Sequence, residues 1–126
     1  MGFKIFIIVC NLIIPVIMLF FGVRFRKHGP KNINGIYGYR TSMSMKNKET
    51  WEFAHQYCGR LWIKLGLIML TISIIVSVLV FTYIDEAQGI IDLILVTIQT
   101  IVLIVSIFPV EKALKNNFDG NGNRRN

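Results

Sequence analysis

Three long apolar runs limit what this chain can fold into. Residues 5–23, 65–84 and 93–110 contain no lysine, arginine, aspartate or glutamate. An α-helix rises about 1.5 Å per residue, so about 20 apolar residues cross a hydrocarbon core that is about 30 Å thick. A chain of 126 residues cannot bury three such helices inside a core of its own. The runs predict an all-α integral membrane protein with three transmembrane helices, over about residues 4–23, 61–84 and 91–110.

The basic charge is distributed unevenly, and its distribution predicts the topology. The net charge is +7, and residues 24–64 hold nine Lys or Arg against two acids, whereas residues 85–92 hold three acids and no base. Lysine and arginine are enriched in cytoplasmic loops. We therefore expect a multi-pass protein with its N-terminus outside and its C-terminus in the cytoplasm. Topology and attraction to anionic lipid explain the charge, so no nucleic-acid partner is expected.

An additional helix is predicted between the first two membrane helices. Asn47 is a suitable N-cap, and Trp51 and His55 begin an apolar stripe with helical spacing. These features predict an amphipathic cytoplasmic helix over residues 48–60, with a bend at Gly59 before the second membrane helix. Residues 1–115 then form a single membrane domain. The polar, Gly- and Asn-rich residues 116–126 are expected to be a disordered tail.

Two amides lie inside the predicted membrane helices. Asn11 precedes Pro15 by four residues, so its side chain could repair the kink that the proline causes or could face another helix. Gln99 is costly in lipid without a partner, which could be Asn11 or Gln99 of a second copy in a homo-oligomer. Pro109 is expected to end the third helix.

The sequence contains no recognisable catalytic constellation. It has no Gly-rich phosphate loop, no HExxH and no GxSxG, and Asp92, at the edge of a helix, is its only intramembrane acid. We therefore expect no enzyme activity, no cofactor and no metal. Arg40 lies in a polar stretch before the predicted helix, where its donor fork suits two roles. It could clamp the segment to helix-end carbonyls, Glu49 or Glu52, or it could bind an anionic group.

The polar stretch also carries a family resemblance. The pattern Asn34-x-x-x-Gly38-Tyr39-Arg40-Thr41 is followed by Trp51-x-x-Ala54-His55 and Gly59. This pattern, over about residues 12–85, resembles the signature of the SdpI family of bacterial membrane proteins. The resemblance implies a location in the bacterial cell membrane and immunity to a membrane-active toxin peptide. It also implies a signalling role through a cytoplasmic regulator.

The resemblance directs attention to six residues as a candidate binding site. Arg40 would bind or clamp an anion, and Trp51 and His55 would form the docking face of the amphipathic helix. Asn34, Gly38 and Thr41 would support the loop. Two other functions remain open from the sequence: a membrane enzyme or carrier for a lipid or small molecule, and a regulatory subunit of a membrane complex.

Overall fold

The computed structural model describes residues 2–83, 86 and 88–125, and its regular elements are helical. They are α1 (Gly2–Lys27), α2 (Lys48–Tyr83), α3 (Gln88–Val105) and α4 (Ile107–Asn117). In the described part of the chain, three helical stretches are long and apolar enough to cross a membrane: Gly2–Lys27, Lys48–Tyr83 and Gly89–Asn117. The predicted all-α class is confirmed, and so is the prediction of three helices long and apolar enough to span a membrane. Residues 28–47, here called the polar connection, join α1 to α2.

Helices α1 and α2 pack through stripes of buried residues that recur every three or four positions. On α1 the stripe is Asn11, Pro15, Met18, Gly22 and Phe25. On α2 it includes Gly59, Gly66, Ser73 and Val80 at intervals of seven. This spacing is typical of helices that pair at a shallow crossing angle. The side chains outside the stripes are mostly apolar and exposed, as expected for surfaces that face lipid.

Glycine brings the two helices into backbone contact. A Cβ atom added to Gly59 would lie 2.4 Å from the Arg26 amide nitrogen and 2.7 Å from the Gly22 carbonyl oxygen. Small residues permit this close approach, which is common between membrane helices. Gly59 therefore serves as a contact between helices, and α2 continues through it without a break.

Two predicted helix boundaries are wrong. Residues 48–60 are not separated from the second membrane helix, because α2 continues unbroken for 36 residues. At about 1.5 Å per residue it is about 54 Å long, so it exceeds the hydrocarbon thickness. Pro109 does not end the third helix. The helix breaks at Ser106, and Pro109 lies in the first turn of α4, where its missing N–H needs no acceptor.

A second core lies at the end of the bundle that carries the polar connection. It joins the connection, α2, α4 and the chain end through Tyr39, Ala54, Cys58, Val110, Leu114 and Phe118. Phe118 is fully buried and stacks edge-on against Phe53, with ring centroids 5.4 Å apart. Asn47 Nδ2 donates to the Gly122 carbonyl at 2.7 Å. Residues 118–125 thus fold back onto the helices, although their composition predicts disorder, because one aromatic side chain anchors them.

Candidate functional site

His55 is the centre on which the polar connection folds. Its Nε2 accepts the Tyr39 backbone N–H at 2.9 Å, while its Nδ1 lies 2.8 Å from the Trp51 carbonyl oxygen. A carbonyl oxygen can only accept, so Nδ1 carries the hydrogen and Nε2 is free to accept. The imidazole is therefore neutral, with its tautomer fixed by both bonds. Phe25 contacts the ring edge-on at a centroid distance of 4.8 Å.

Two glycines let the connection lie directly on this imidazole. A Cβ on Gly29 would come within 2.5 Å of the His55 ring, and one on Gly38 within 2.7 Å of its Nε2. Gly38 also has φ +114°, a conformation that glycine adopts without steric cost. The indole Nε1 of Trp51 donates to the Pro30 carbonyl at 2.8 Å. Trp51 and His55 are 1% and 0% exposed, so they bind the chain's own loop rather than present a docking face.

A relay of hydroxyl groups connects the loop to the start of α2. Ser44 Oγ donates to the Tyr39 carbonyl and accepts the Thr41 N–H, each at 2.9 Å. Thr50 Oγ1 donates to the Ser44 carbonyl at 3.0 Å. Asn47 Oδ1 accepts the Thr50 N–H at 2.9 Å, which confirms the predicted N-cap. Thr41 has the loop-supporting position that the sequence indicates.

Asn34 and Arg40 shape the outer part of the connection. Asn34 Oδ1 accepts the N–H groups of Ile36 and Tyr37 at 2.9 and 2.8 Å, so the side chain stabilises a turn. Arg40 is exposed and donates to the Gly35 carbonyl within its own loop. It does not clamp Glu49, which pairs with Arg124 at 2.6 Å. Arg40 therefore remains accessible to an anionic group.

Tyr39 links the connection to α4. Its phenol donates to Glu111 Oε1 at 2.8 Å. Burial, together with the neighbouring Glu111 carboxylate, raises the pKa of Tyr39 above its usual value, so the phenol stays protonated as the donor. Sequence reasoning missed this bond because 72 residues separate the two side chains.

An apolar groove is lined by residues of α1, the polar connection, α2 and α3. Its volume is about 250 Å³, and its lining is almost entirely apolar: Ile14, Ile17, Met18, Phe21, Phe25, Tyr37, Gly38, Trp62 and Leu103. We call it the membrane groove. A separate cleft of about 490 Å³ lies beyond Tyr37 and is lined by Arg24 and Lys31 among others. Tyr37 lines both spaces, so an apolar surface and a basic surface meet at this residue.

The amides inside the membrane helices meet across the bundle. Asn11 Nδ2 donates to Asp92 Oδ1 at 2.8 Å, so Asn11 faces α3 and does not repair the Pro15 kink. Gln99 Nε2 donates to the Asn11 carbonyl at 2.8 Å and to Ser73 Oγ at 2.6 Å. Gln99 thus finds partners within its own chain. Asp92, which the sequence places at a helix edge, is 7% exposed and belongs to this cluster.

The comparisons with known proteins decide the family. The model of the SdpI/YfhL protein family matches residues 31–110, which include most of the polar connection, all of α2 and α3, and the start of α4. The chain belongs to the SdpI/YfhL family. The resemblance found in the signature residues is thereby confirmed.

One curated relative extends the comparison. The chain is 38% identical over 53 residues to the uncharacterized protein YfhL of Bacillus subtilis (strain 168). The alignment covers 42% of this chain and 48% of that protein, so it spans about half the length of the relative. No solved structure gives a significant match.

Proposed function

We propose that this SdpI-family membrane protein confers immunity by holding a membrane-active toxin peptide in the membrane groove. The observation that carries the proposal is that Tyr37 and Gly38 of the polar connection line this apolar groove together with side chains of α1. An apolar peptide face would replace lipid along α1, and the peptide would be held away from the assembly that damages the membrane. Immunity is also what the family resemblance implies.

This arrangement gives the signature residues an indirect role. A secreted toxin arrives from outside, whereas the distribution of basic charge favours a cytoplasmic position for the polar connection. His55, Trp51 and Thr41 are occupied by bonds within the chain and are not free to hold a ligand. In our proposal they fix the loop that closes the groove, and the apolar groove side chains contact the peptide.

The same loop suits the signalling role. Gly38 lies beside the Tyr39 N–H that His55 accepts, so a peptide that displaces Tyr37 would strain this bond. Ile36 is 87% exposed next to Tyr37, and Arg40 is exposed nearby. Arginine is enriched at protein–protein interfaces, and an exposed apolar side chain beside it offers area that a partner would bury. We propose that a cytoplasmic regulator docks there and senses the state of the groove.

A matched pair of tryptophan variants tests the immunity proposal. Ile17 and Ile13 are each 46% exposed on α1, but of the two only Ile17 lines the membrane groove. Sensitive cells expressing the wild-type chain, Ile17→Trp or Ile13→Trp would be challenged with a panel of membrane-active peptides. We expect the wild type and Ile13→Trp to protect against a peptide in the panel, and Ile17→Trp to lose that protection at equal protein level.

Two outcomes would contradict the proposal. If the wild-type chain protects against none of the peptides, the immunity function is not supported. If the chain protects and Ile17→Trp protects equally, the groove is not where the peptide binds. Equal accumulation of all three proteins in the membrane fraction is the control for folding.

A further inference from the structure

A cleft with two cationic side chains adjoins the membrane groove at Tyr37. It is the space of about 490 Å³ that Arg24 and Lys31 line, and we call it the basic cleft. Arg24 belongs to the end of α1, and Lys31 belongs to the polar connection. None of the described residues that line the cleft is acidic. The cleft therefore combines side chains from two elements into one positively charged space.

Hydrogen bonds within the chain fix the wall of the basic cleft. Pro30, which lines it, is buried, and its carbonyl accepts the indole N–H of Trp51 at 2.8 Å. Asn34 Nδ2 donates to the carbonyl of Asn32 at 3.1 Å, and both residues line the cleft. Lys31 thus follows an anchored residue while its own side chain stays exposed. A wall that is already ordered lowers the entropy cost of binding a ligand.

The two cations have no counter-charge inside the chain. Arg24 and Lys31 are exposed, and neither forms an ion pair with an acid in the described part of the chain. A second cleft of about 500 Å³ shares residues 28–32 with the basic cleft and contains two further lysines, but Glu52 also lines it. The Glu52 carboxylate would repel an anion. Of these two clefts, the basic cleft is therefore the better site for an anionic ligand.

The position of the cleft indicates what carries the negative charge. Arg24 directly follows the uncharged run 5–23, so a membrane-spanning α1 would hold Arg24 at the level of the lipid phosphates. Tyr37 lines both the basic cleft and the apolar membrane groove, and tyrosine is enriched at this level of a membrane. A phospholipid has the same order of groups, with a phosphate next to apolar chains. A soluble phosphate compound would use the cations but not the apolar neighbour.

We propose that the basic cleft binds the headgroup of an anionic phospholipid of the phosphatidylglycerol class. The phosphate lies within reach of Arg24 and Lys31, and the acyl chains begin against Tyr37. Phosphatidylcholine is disfavoured, because its quaternary ammonium would be repelled by the same two cations. The inference goes beyond the proposed immunity function and does not rest on it, since Tyr37 is the one described lining residue that the cleft shares with the membrane groove.

A lipid titration of the purified full-length protein in detergent micelles tests the proposal without any variant. Native mass spectrometry would count the lipids bound as phosphatidylglycerol, or phosphatidylcholine with the same acyl chains, is added. We expect saturable binding of phosphatidylglycerol and weaker binding of phosphatidylcholine. We also expect that sn-glycerol 3-phosphate, which has the phosphate but no acyl chains, does not displace the bound lipid.

Two double variants with the same change of charge locate the site. Arg24→Gln with Lys31→Gln should weaken phosphatidylglycerol binding about 30-fold, which corresponds to about 1 kcal/mol for each charge removed. Arg60→Gln with Lys64→Gln removes two exposed cations of α2 that come just before the uncharged run 65–84 and line neither cleft. This control should change the binding little, although it lowers the net charge equally.

Four results would overturn the proposal. The wild type could bind the two lipids equally, or sn-glycerol 3-phosphate could displace phosphatidylglycerol, which would indicate a site for soluble phosphates. The Arg24→Gln/Lys31→Gln protein could bind phosphatidylglycerol as tightly as the wild type. Both double variants could lose binding to the same extent, in which case the basic surface in general, and not the cleft, attracts the lipid.

Discussion

Replacement of His55 by phenylalanine tests how the polar connection is held. Phenylalanine keeps a ring against Phe25 and Trp51, but it removes the nitrogen that accepts the Tyr39 N–H. A buried N–H without a partner costs about 1–3 kcal/mol. A C–H group of the phenylalanine ring would also come close to the Tyr39 nitrogen, which lies only 2.9 Å from Nε2 of His55 in the wild type. Overpacking of this kind costs about 1–3 kcal/mol. Together these two effects give an expected loss of about 2–6 kcal/mol.

Limited trypsin digestion measures this loss locally. Lys31, Arg40 and Lys46 lie in the polar connection and are the cleavage points. If cleavage requires local opening, a loss of about 2 kcal/mol increases the cleavage rate about 30-fold. His55→Gln should recover part of the protection, because its amide oxygen can reach the Nε2 position. His28→Gln, at the other and exposed histidine, should digest like the wild type.

The result that would refute this reasoning is a wild-type cleavage rate for His55→Phe. Such a rate would mean that the Tyr39–His55 bond does not hold the connection on α2. Faster digestion of His28→Gln would show instead that the assay responds to any histidine replacement.

Three further predictions concern other parts of the chain. Gln99→Leu removes both donor bonds to α1 and α2 and should cost about 1–2 kcal/mol in thermal unfolding in detergent, whereas Thr97→Val, whose hydroxyl bonds only its own helix, should change little. Phe118→Ala should cost about 3–5 kcal/mol, and an unchanged melting temperature would mean that the chain end does not pack on α2. Cysteine introduced at exposed Ser42, with Cys10 replaced by alanine, should react only with a permeant reagent; labelling from outside would reverse the proposed topology.

The membrane helices could be predicted from the sequence because hydropathy and length act locally. The uncharged runs are enough to predict three helices that could span a membrane, and Asn47 is a capping residue whatever it packs against. The α2 boundary was harder to predict, since Gly59 can either bend a helix or admit a neighbouring backbone. The Gly22 carbonyl oxygen would lie only 2.7 Å from a Cβ on Gly59, so Gly59 admits the neighbouring backbone. This contact depends on how α1 packs against α2, which the local sequence does not reveal.

The candidate site was only partly predictable for the same reason. The signature identifies Trp51 and His55, but spacing alone assigns them to a surface stripe. Only the path of the polar connection shows that Gly29 and Gly38 cover them. The sequence did not predict the burial of Asp92, because its partner Asn11 is 81 residues away. A position at the edge of a helix in the sequence says little about burial in the fold. Polar contacts of this kind between helices can be identified only once the packing of the bundle is known.

The central claim is that a toxin peptide lies in the membrane groove, and photo-crosslinking tests it most directly. A photoreactive amino acid would be placed at position 17, inside the groove, or at position 13, outside it but equally exposed. Living cells would then be treated with a peptide against which the wild-type chain protects. The account predicts a crosslinked adduct from position 17 and little or none from position 13. Equal crosslinking from both positions, or an adduct from position 13 alone, would contradict it.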